Sequence, residues 1–329
     1  MKAGWKVTIN RYCKNFKRKL TMSKPIFLLI ALYLIPGAAI AQKQVALTFD
    51  DGPRANGEVN SLKDLPLLKK IDSLQIPAAL FINEQKLILP NTSTPNTDAL
   101  KFWAESPYIT LGNHTFSHLR YSTTPNSVFI KDVIAGEGET RKLSNALNKT
   151  LVHFRFPFND LGADSAQQTF IAQELNKLGY QVTPFTIESS DWMFNALYQH
   201  YLKEKNTNKA KCIGQLYLHK TLAYFQHFDS LSTKLYNRPV KQIYLAHDNQ
   251  LNADYLPILY KKLKEQGYTF ISLDEALTDP VYSQPNSYYK KWGISWFYRW
   301  MPTQDERRNW MMAEPDLSSI EREYNELNN

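Results

Sequence analysis

Cysteine is scarce in this sequence, and its scarcity removes disulfide pairing as a guide to the redox compartment. Two cysteines, Cys13 and Cys212, occur in 329 residues. Cys13 falls in an N-terminal leader, so the chain that follows has a single cysteine and is not expected to form a disulfide within itself. Internal repeats and low-complexity segments are also missing.

Acidic residues are absent from residues 1–41, and this absence explains the basic balance of the whole chain. The formal net charge is +8 and the isoelectric point is about 9.2. Eight of the 39 basic residues lie in the leader, which leaves 31 basic residues against 31 acidic ones. Because the rest of the chain is formally neutral, no nucleic-acid partner is expected.

The leader has the pattern of a secretory signal peptide. Its basic stretch precedes an apolar run over residues 26–40, and Ala39-Ile40-Ala41 supplies a small-x-small cleavage site. The pattern predicts a signal peptide over residues 1–41 and a mature chain that begins at Gln42. The protein is therefore expected in the periplasm or outside the cell.

Two alternatives concern the leader. Met22 stands where a signal peptide of ordinary length would begin, so the first 21 residues are a candidate start-site overcall. An uncleaved anchor helix would instead tether the protein to the membrane. Pro36 and Gly37 argue against that alternative, because they interrupt a run already short of the roughly 20 residues that a spanning helix needs.

The mature chain alternates short β-rich runs with longer helical patterns. The predicted strands are Val45–Phe49, Ala79–Ile82, Tyr108–Leu111, Val152–Phe156, Gln181–Ile187, Ile243–Ala246 and Thr269–Ser272. Repeated β–α alternation predicts an α/β fold with a parallel sheet or barrel. Seven strands favour a barrel smaller than the eight-stranded one, with its chemistry at the C-terminal ends of the strands.

Two regions fall outside this alternation. Residues 192–238 form a mostly helical insertion, and residues 281–329 form an aromatic-rich C-terminal extension beyond a catalytic domain over residues 42–280. The extension is expected to pack on the barrel, since large aromatic side chains usually contribute buried area. A sugar-stacking platform and a contact with a membrane surface or the cell wall are the alternatives.

The sharpest local signal is Asp50-Asp51-Gly52-Pro53 at the end of the first predicted strand. Two adjacent carboxylates repel each other unless a cation or a base role separates them. A solvated turn is the alternative explanation, since Asp and Gly are common turn residues.

His114 and His118 follow the third predicted strand and strengthen the functional interpretation. Their i, i+4 spacing predicts one helix face, an arrangement used for zinc. Two histidines and the carboxylate of Asp51 would leave coordination positions open, as catalytic metal sites do. The parallel-sheet prediction places all three side chains on the same rim.

Three further elements stand at predicted strand ends. They are Arg155-Phe156-Pro157-Phe158, Asp191-Trp192 and Leu245-Ala246-His247. A surface ion pair, a helix N-cap and a buried histidine are the respective structural alternatives. Five polar elements at corresponding positions are hard to explain by those alternatives together.

These five motifs, in this order, resemble the polysaccharide deacetylases of carbohydrate esterase family 4, the NodB-homology domain. The resemblance covers roughly residues 44–275 and rests most strongly on the motifs at 48–53 and 114–118. It implies a distorted (β/α)7 barrel and a hydrolase that uses a divalent metal, usually zinc, with cobalt or nickel as alternatives.

The resemblance also implies a role for each matching residue. Asp51, His114 and His118 would bind the metal, and Asp50 would be the general base. His247 would be the general acid. The residues with supporting roles would be Arg155 beside the base, Asp191 beside the acid, Phe158 as a backbone donor to the oxyanion, and Trp192 and Leu245 as walls of the acetyl pocket.

Two departures from the family pattern affect the expected substrate more than the reaction. Phe158 stands where the family often has tyrosine, and Glu188 stands where a second aspartate is common. The leading hypothesis is N-deacetylation of an acetylated glycan such as peptidoglycan or a chitin-like oligosaccharide. An O-acetyl esterase on a xylan-like polymer, a non-haem iron oxygenase and an inactive glycan-binding module are the alternatives.

Overall fold

Short parallel strands form the sheet at the centre of this protein. The computed structural model describes residues 42–54, 59–88 and 97–328. Its strands are β1 (Lys43–Gly52), β2 (Ala78–Ile82), β3 (Ile109–Asn113), β4 (His153–Phe154), β5 (Gln181–Val182), β6 (Ile187–Glu188), β7 (Lys241–His247) and β8 (Tyr268–Phe270). The nearly continuous apolar runs of β1 and β2 are typical of strands that are covered on both faces.

The strands follow the order β5-β4-β3-β2-β1-β7-β6, and every neighbouring pair is parallel. β8 pairs in addition with the start of β1. β5 and β6 are the two ends of the path, and no ladder joins them among the described residues, so the barrel is incompletely closed. This architecture confirms the predicted distorted (β/α)7 barrel.

The predicted strand over residues 181–187 is wrong as a single element. The chain forms β5 and β6 there, separated by residues 183–186. Pro184 explains the break, because proline has no N–H to donate to a neighbouring strand. Its carbonyl oxygen instead accepts a hydrogen bond from Arg155.

Helices follow most of the strands. They are α1 (Pro66–Leu74), α2 (Thr97–Glu105), α3 (Asn126–Ala135), α4 (Gly138–Ala146), α5 (Ser165–Lys177), α6 (Asp191–Lys203), α7 (Thr207–Tyr236), α8 (Gln250–Glu265), α9 (Leu273–Leu277), α10 (Trp296–Trp300), α11 (Gln304–Met312) and α12 (Ser318–Asn328). The side chains of Asp164, Asn206 and Asn249 cap the first turns of α5, α7 and α8 by accepting backbone N–H bonds.

Alternation along β1 divides the core into two clusters. Val45, Leu47 and Phe49 belong to the large cluster that the helices share, whereas Ala46 packs with residues such as Phe81 in a smaller cluster among the strands. Successive side chains of a strand point to opposite faces. The even-numbered residues of β1 therefore face the barrel interior, and this alternation decides where its polar end residues point.

The predicted helical insertion consists of α6 and α7, which pack against each other. The C-terminal extension lies over the opening between β5 and β6. There, the Ser295 hydroxyl donates to the Thr186 carbonyl, and the Trp296 N–H donates to the Phe185 carbonyl. The extension thus supplies hydrogen bonds to two carbonyl groups of the segment that joins β5 to β6.

The predicted signal peptide, residues 1–41, lies outside the described residues. Within the described part of the chain, no helix combines the length and the apolar character needed to cross a membrane. Cys212 lies in α7, and Cys13 lies outside the described residues.

Candidate metal and catalytic site

The end of β1 sends its two adjacent carboxylates in different directions. Asp50 continues the inward-facing series of β1 and is almost fully buried. Asp51 has a φ of 66°, a left-handed conformation that aspartate tolerates better than most residues. Its side chain consequently reaches the rim of the barrel, where 28% of it is exposed.

The segment from His114 to His118 is a loop, so the prediction that both histidines share one helix face is wrong. Thr115 and His118 have positive φ angles of 65° and 59°. The backbone N–H groups of this loop bond to side chains instead of forming helical bonds: Asn113 accepts from Thr115, and Asp132 accepts from Ser117. The i, i+4 spacing brings the rings together through a folded loop.

The structure nevertheless gathers the three predicted metal ligands. One donor atom from each of Asp51, His114 and His118 lies within 4.8 Å of the others. Asp51 Oδ1 is 3.3 Å from His118 Nε2 and 3.8 Å from His114 Nε2. The two ring centroids are 5.1 Å apart.

Two observations show that these residues fit a divalent cation. Asp51 Oδ1 is buried without a hydrogen-bond partner among the described residues. His114 Nδ1 lies 2.7 Å from the Arg155 carbonyl oxygen, which fixes the proton on Nδ1 and leaves the Nε2 lone pair free. Two imidazole nitrogens and one carboxylate suit zinc and other first-row metals.

The protonation states also suit a cation. Burial lowers the pKa of His114, and burial together with the neighbouring His114 lowers the pKa of His118 to about 4. Burial opposes ionisation of Asp51, but Lys86 and the nearby histidines outweigh it and hold the pKa of that carboxyl below its usual value. At neutral pH the site therefore offers two neutral imidazoles and one carboxylate.

Lys86 is a neighbour of the site that the sequence interpretation missed. Its Nζ donates to the Asp51 carbonyl oxygen at 2.8 Å and lies 3.6 Å from Asp51 Oδ1. It belongs to a short 3₁₀ turn just after β2, in a segment without a recognisable motif.

Asp50 is held by the buried guanidinium of Arg155. Arg155 Nη1 is 2.8 Å from Asp50 Oδ1 and 2.6 Å from Thr48 Oγ1, and its Nη2 donates to the Pro184 carbonyl. Burial lowers the pKa of Arg155, yet such a group stays charged at neutral pH. The pairing leaves Asp50 Oδ2 directed toward His114 Nε2, at 3.9 Å.

His247 and Asp191 form the second predicted pair. His247 Nδ1 is 2.7 Å from Asp191 Oδ1, and Asp191 is fully buried. Burial alone would lower the pKa of His247, but the charge and hydrogen bond of Asp191 raise it to about 10. Two amides missed by the sequence interpretation, Asn249 and Asn252, also donate to Asp191.

The sheet register links the two halves of the site. Asp50 of β1 is the register partner of His247 of β7. Parallel strands end at the same edge, so these side chains flank the Asp51 cluster from neighbouring strands. Glu188 lies close by, and burial together with Asp191 raises its pKa to about 7.

The three predicted pocket residues occupy different environments. Phe158 is 46% exposed, and its ring contacts His118 at a centroid distance of 4.5 Å. Trp192 is 44% exposed and meets Tyr324 of α12 edge-to-face. Leu245 is buried in the interior cluster, two residues before His247 on β7.

Comparisons with known proteins found chains similar to this one. Residues 38–183 match the family model for polysaccharide deacetylases. YheN of Bacillus subtilis (strain 168), which its name calls a putative polysaccharide deacetylase, is 24% identical over 278 residues, or 84% of this chain and 83% of YheN.

Two solved structures are also similar. The polysaccharide deacetylase Bc1974 from Bacillus cereus is 22% identical and matches with a TM-score of 0.46 over 70% of this chain and 92% of that one. PdaA from Bacillus subtilis, a family 4 carbohydrate esterase, is 20% identical, with a TM-score of 0.46 over 72% of this chain and 81% of PdaA.

Proposed function

We propose that this chain, which matches the polysaccharide deacetylase family model over residues 38–183, is a hydrolase of that family and uses a divalent cation, zinc in the first instance, to remove N-acetyl groups from a glycan. One observation supports this proposal best. Asp51, His114 and His118 offer cation-ready donors within 4.8 Å of one another, flanked by Asp50 and His247 on neighbouring strands.

A bound cation would supply Lewis acidity, which polarises an acetyl carbonyl and makes water a better nucleophile. Asp50 is the proposed general base and accepts a proton from the attacking water. Arg155 keeps that carboxylate oriented through the bond at 2.8 Å. The Phe158 backbone N–H is proposed to donate to the developing oxyanion, which typically contributes several kcal/mol.

His247 is the proposed general acid. As the carbon–nitrogen bond breaks, the amine must gain a proton to leave. Asp191 keeps the imidazole charged at neutral pH, so His247 has a proton to give. The water oxygen ends in acetate, and the proton from His247 ends on the sugar amine.

The base assignment is tested by Asp50→Asn in the metal-loaded protein, with Asp72→Asn as the matched control on α1. Acetate release from N-acetylglucosamine oligomers should fall about 10³-fold or more, while zinc affinity in calorimetry stays close to that of the wild type. Full activity of Asp50→Asn would overturn the assignment. Parallel assays on O-acetylated xylo-oligosaccharides distinguish amide from ester hydrolysis.

We further propose that the protein is exported. The basic stretch and apolar run of residues 1–41 support this proposal. N-terminal sequencing of the protein recovered from the producing cell should begin at Gln42. Recovery of the leader on a cytoplasmic product would contradict it.

A further inference from the structure

We propose that the C-terminal extension positions the turn that carries Phe158, through direct backbone contact at Gly293 and hydrogen bonds from Arg299. This inference rests on the proposed role of the Phe158 N–H and extends it to residues outside all five motifs. Gly293 and Arg299 act here as positioning residues, because they touch the turn and not the reacting atoms.

The turn over residues 157–159 has a backbone that needs support. Phe158 and Asn159 have φ angles of 57° and 50°, so two consecutive non-glycine residues are left-handed. Each such residue costs about 1–2 kcal/mol relative to an ordinary conformation. Conformations of this kind persist where the surrounding structure holds them in place.

Gly293 provides the first support by steric contact. A Cβ atom at this position would lie 2.1 Å from the Phe158 carbonyl oxygen and 2.8 Å from Asn159 Cβ. Gly293 is not among the glycines with positive φ, so its requirement for glycine comes from close approach and not from its own conformation. The extension therefore lies directly against the peptide group that follows the proposed oxyanion donor.

Arg299 provides the second support by hydrogen bonding. It is fully buried, and its Nη2 donates to the Asn159 carbonyl at 3.3 Å and to the Trp292 carbonyl at 3.0 Å. Its Nη1 donates to the Tyr288 carbonyl at 3.2 Å. One guanidinium thus ties the Phe158 turn to the part of the extension that precedes Gly293.

Burying a charged guanidinium costs free energy unless a counter-charge or fixed dipoles surround it. Here its partners are three carbonyl oxygens and the ring of Tyr288, 5.2 Å from the guanidinium carbon. A donor to an oxyanion must be placed to within a fraction of an ångström. The extension contacts the turn at Phe158 and Asn159. These contacts fix the position of the Phe158 N–H.

The test compares Gly293→Ala with Gly138→Ala in the full mature protein. A Cβ at Gly138 meets only Glu84 Oε2, at 3.6 Å, which is ordinary contact. Gly293→Ala should lower kcat for acetate release by about tenfold or more and leave KM within about twofold. Zinc affinity should not change, because the atoms nearest the added Cβ belong to Phe158 and Asn159 and not to a proposed metal ligand.

Arg299→Lys is a second variant, since lysine keeps the charge but cannot bond two carbonyls in a planar fork. It should reduce kcat in the same way. Trp292→Ala, which removes an exposed ring and keeps the backbone contact, should retain the wild-type kcat.

An activity-independent measurement separates this inference from the proposed function. In ¹⁵N-labelled protein, the Phe158 amide resonance should shift in Gly293→Ala and stay in place in Gly138→Ala. Absence of acetate release by the wild type would refute the proposed function, whereas an unmoved Phe158 resonance would refute the positioning. A loss of kcat that comes with equal losses of zinc affinity and melting temperature would also refute it.

Discussion

Replacing Asp191 by asparagine should turn His247 from a charged into a neutral imidazole at neutral pH. Asp191 is fully buried, and its Oδ1 atom lies 2.7 Å from His247 Nδ1. Its Oδ2 atom accepts three hydrogen bonds, from the His247 N–H and the amides of Asn249 and Asn252. The two oxygens therefore have different partners.

This asymmetry decides how the introduced asparagine would sit. The three donors around Oδ2 require an acceptor, so the amide oxygen of the new side chain must occupy that position. Its NH₂ group then faces His247 Nδ1 and favours an unprotonated Nδ1. A ring in that state keeps its remaining proton too strongly to serve as a general acid near neutral pH.

The magnitude follows from the pKa of His247, which is about 10 against an ordinary value of 6.5. The difference corresponds to about 5 kcal/mol at 1.36 kcal/mol per pKa unit. Because the folded pKa is raised, this contribution to stability is fully present below pH 6.5 and is lost as the pH rises through about 10. With an ordinary pKa, the charged fraction of His247 at about pH 9 would fall about 300-fold.

Two measurements check the prediction for Asp191→Asn. Titration of the His247 ring by NMR in metal-free protein should show its pKa at or below the ordinary value of 6.5 in the variant, because burial is then uncompensated. In a plot of acetate release against pH, the activity of the variant should fall below that of the wild type on the alkaline side, by a factor that grows from about pH 7 to about pH 9. Asp254→Asn, which removes a carboxylate bonded to Tyr198 on the outside of α8, is the control. A variant that kept His247 charged at the alkaline end of this range would refute the reasoning.

Three other predictions concern the histidine loop, the metal ligands and the surroundings of Arg155. Gly136→Ala should weaken zinc binding about tenfold in calorimetry, because the added Cβ would lie 2.4 Å from the Thr115 backbone. Overpacking of this kind costs about 1–3 kcal/mol. Unchanged zinc affinity would contradict this prediction. Zinc at about 100 times its Kd should raise the unfolding free energy by about 2.7 kcal/mol, and Asp51→Asn should remove most of that gain in thermal melts. Thr48→Val should cost about 1–3 kcal/mol in denaturant titrations, because it removes one acceptor from the buried Arg155; wild-type stability would count against it.

The ends of the strands could be predicted because each apolar run stops at polar or turn-forming residues. The runs that precede Asp50, His114 and His247 are largely apolar, and each ends in polar residues. The parallel arrangement then follows from the helical patterns between them. Local sequence therefore sufficed to place the polar motifs on one edge of the sheet.

The conformation of the histidine loop was not predictable in the same way. Residues 114–118 have the spacing of a helix, yet the side chains of Asn113 and Asp132 take up backbone N–H groups that a helix would use. Asp132 lies 15 residues from Ser117, so its contribution depends on the tertiary fold. The same holds for Arg299, which is 140 residues from Asn159 and carries no local signal.

The roles of the two adjacent aspartates are separated by backbone geometry and not by sequence. Asp50 continues the inward alternation of β1 and meets a permanent cation, the guanidinium of Arg155, at 2.8 Å. Asp51 leaves that alternation through its left-handed φ, and one of its oxygens is buried without a hydrogen bond from any described residue. His114 lies within 3.9 Å of both carboxylates, so any cation bound at Asp51 stands beside the base without replacing its fixed partner. Because Arg155 already neutralises the charge of Asp50, moving that carboxylate to the metal would gain little electrostatic free energy. The division into base and ligand therefore follows from which carboxylate has a permanent counter-charge.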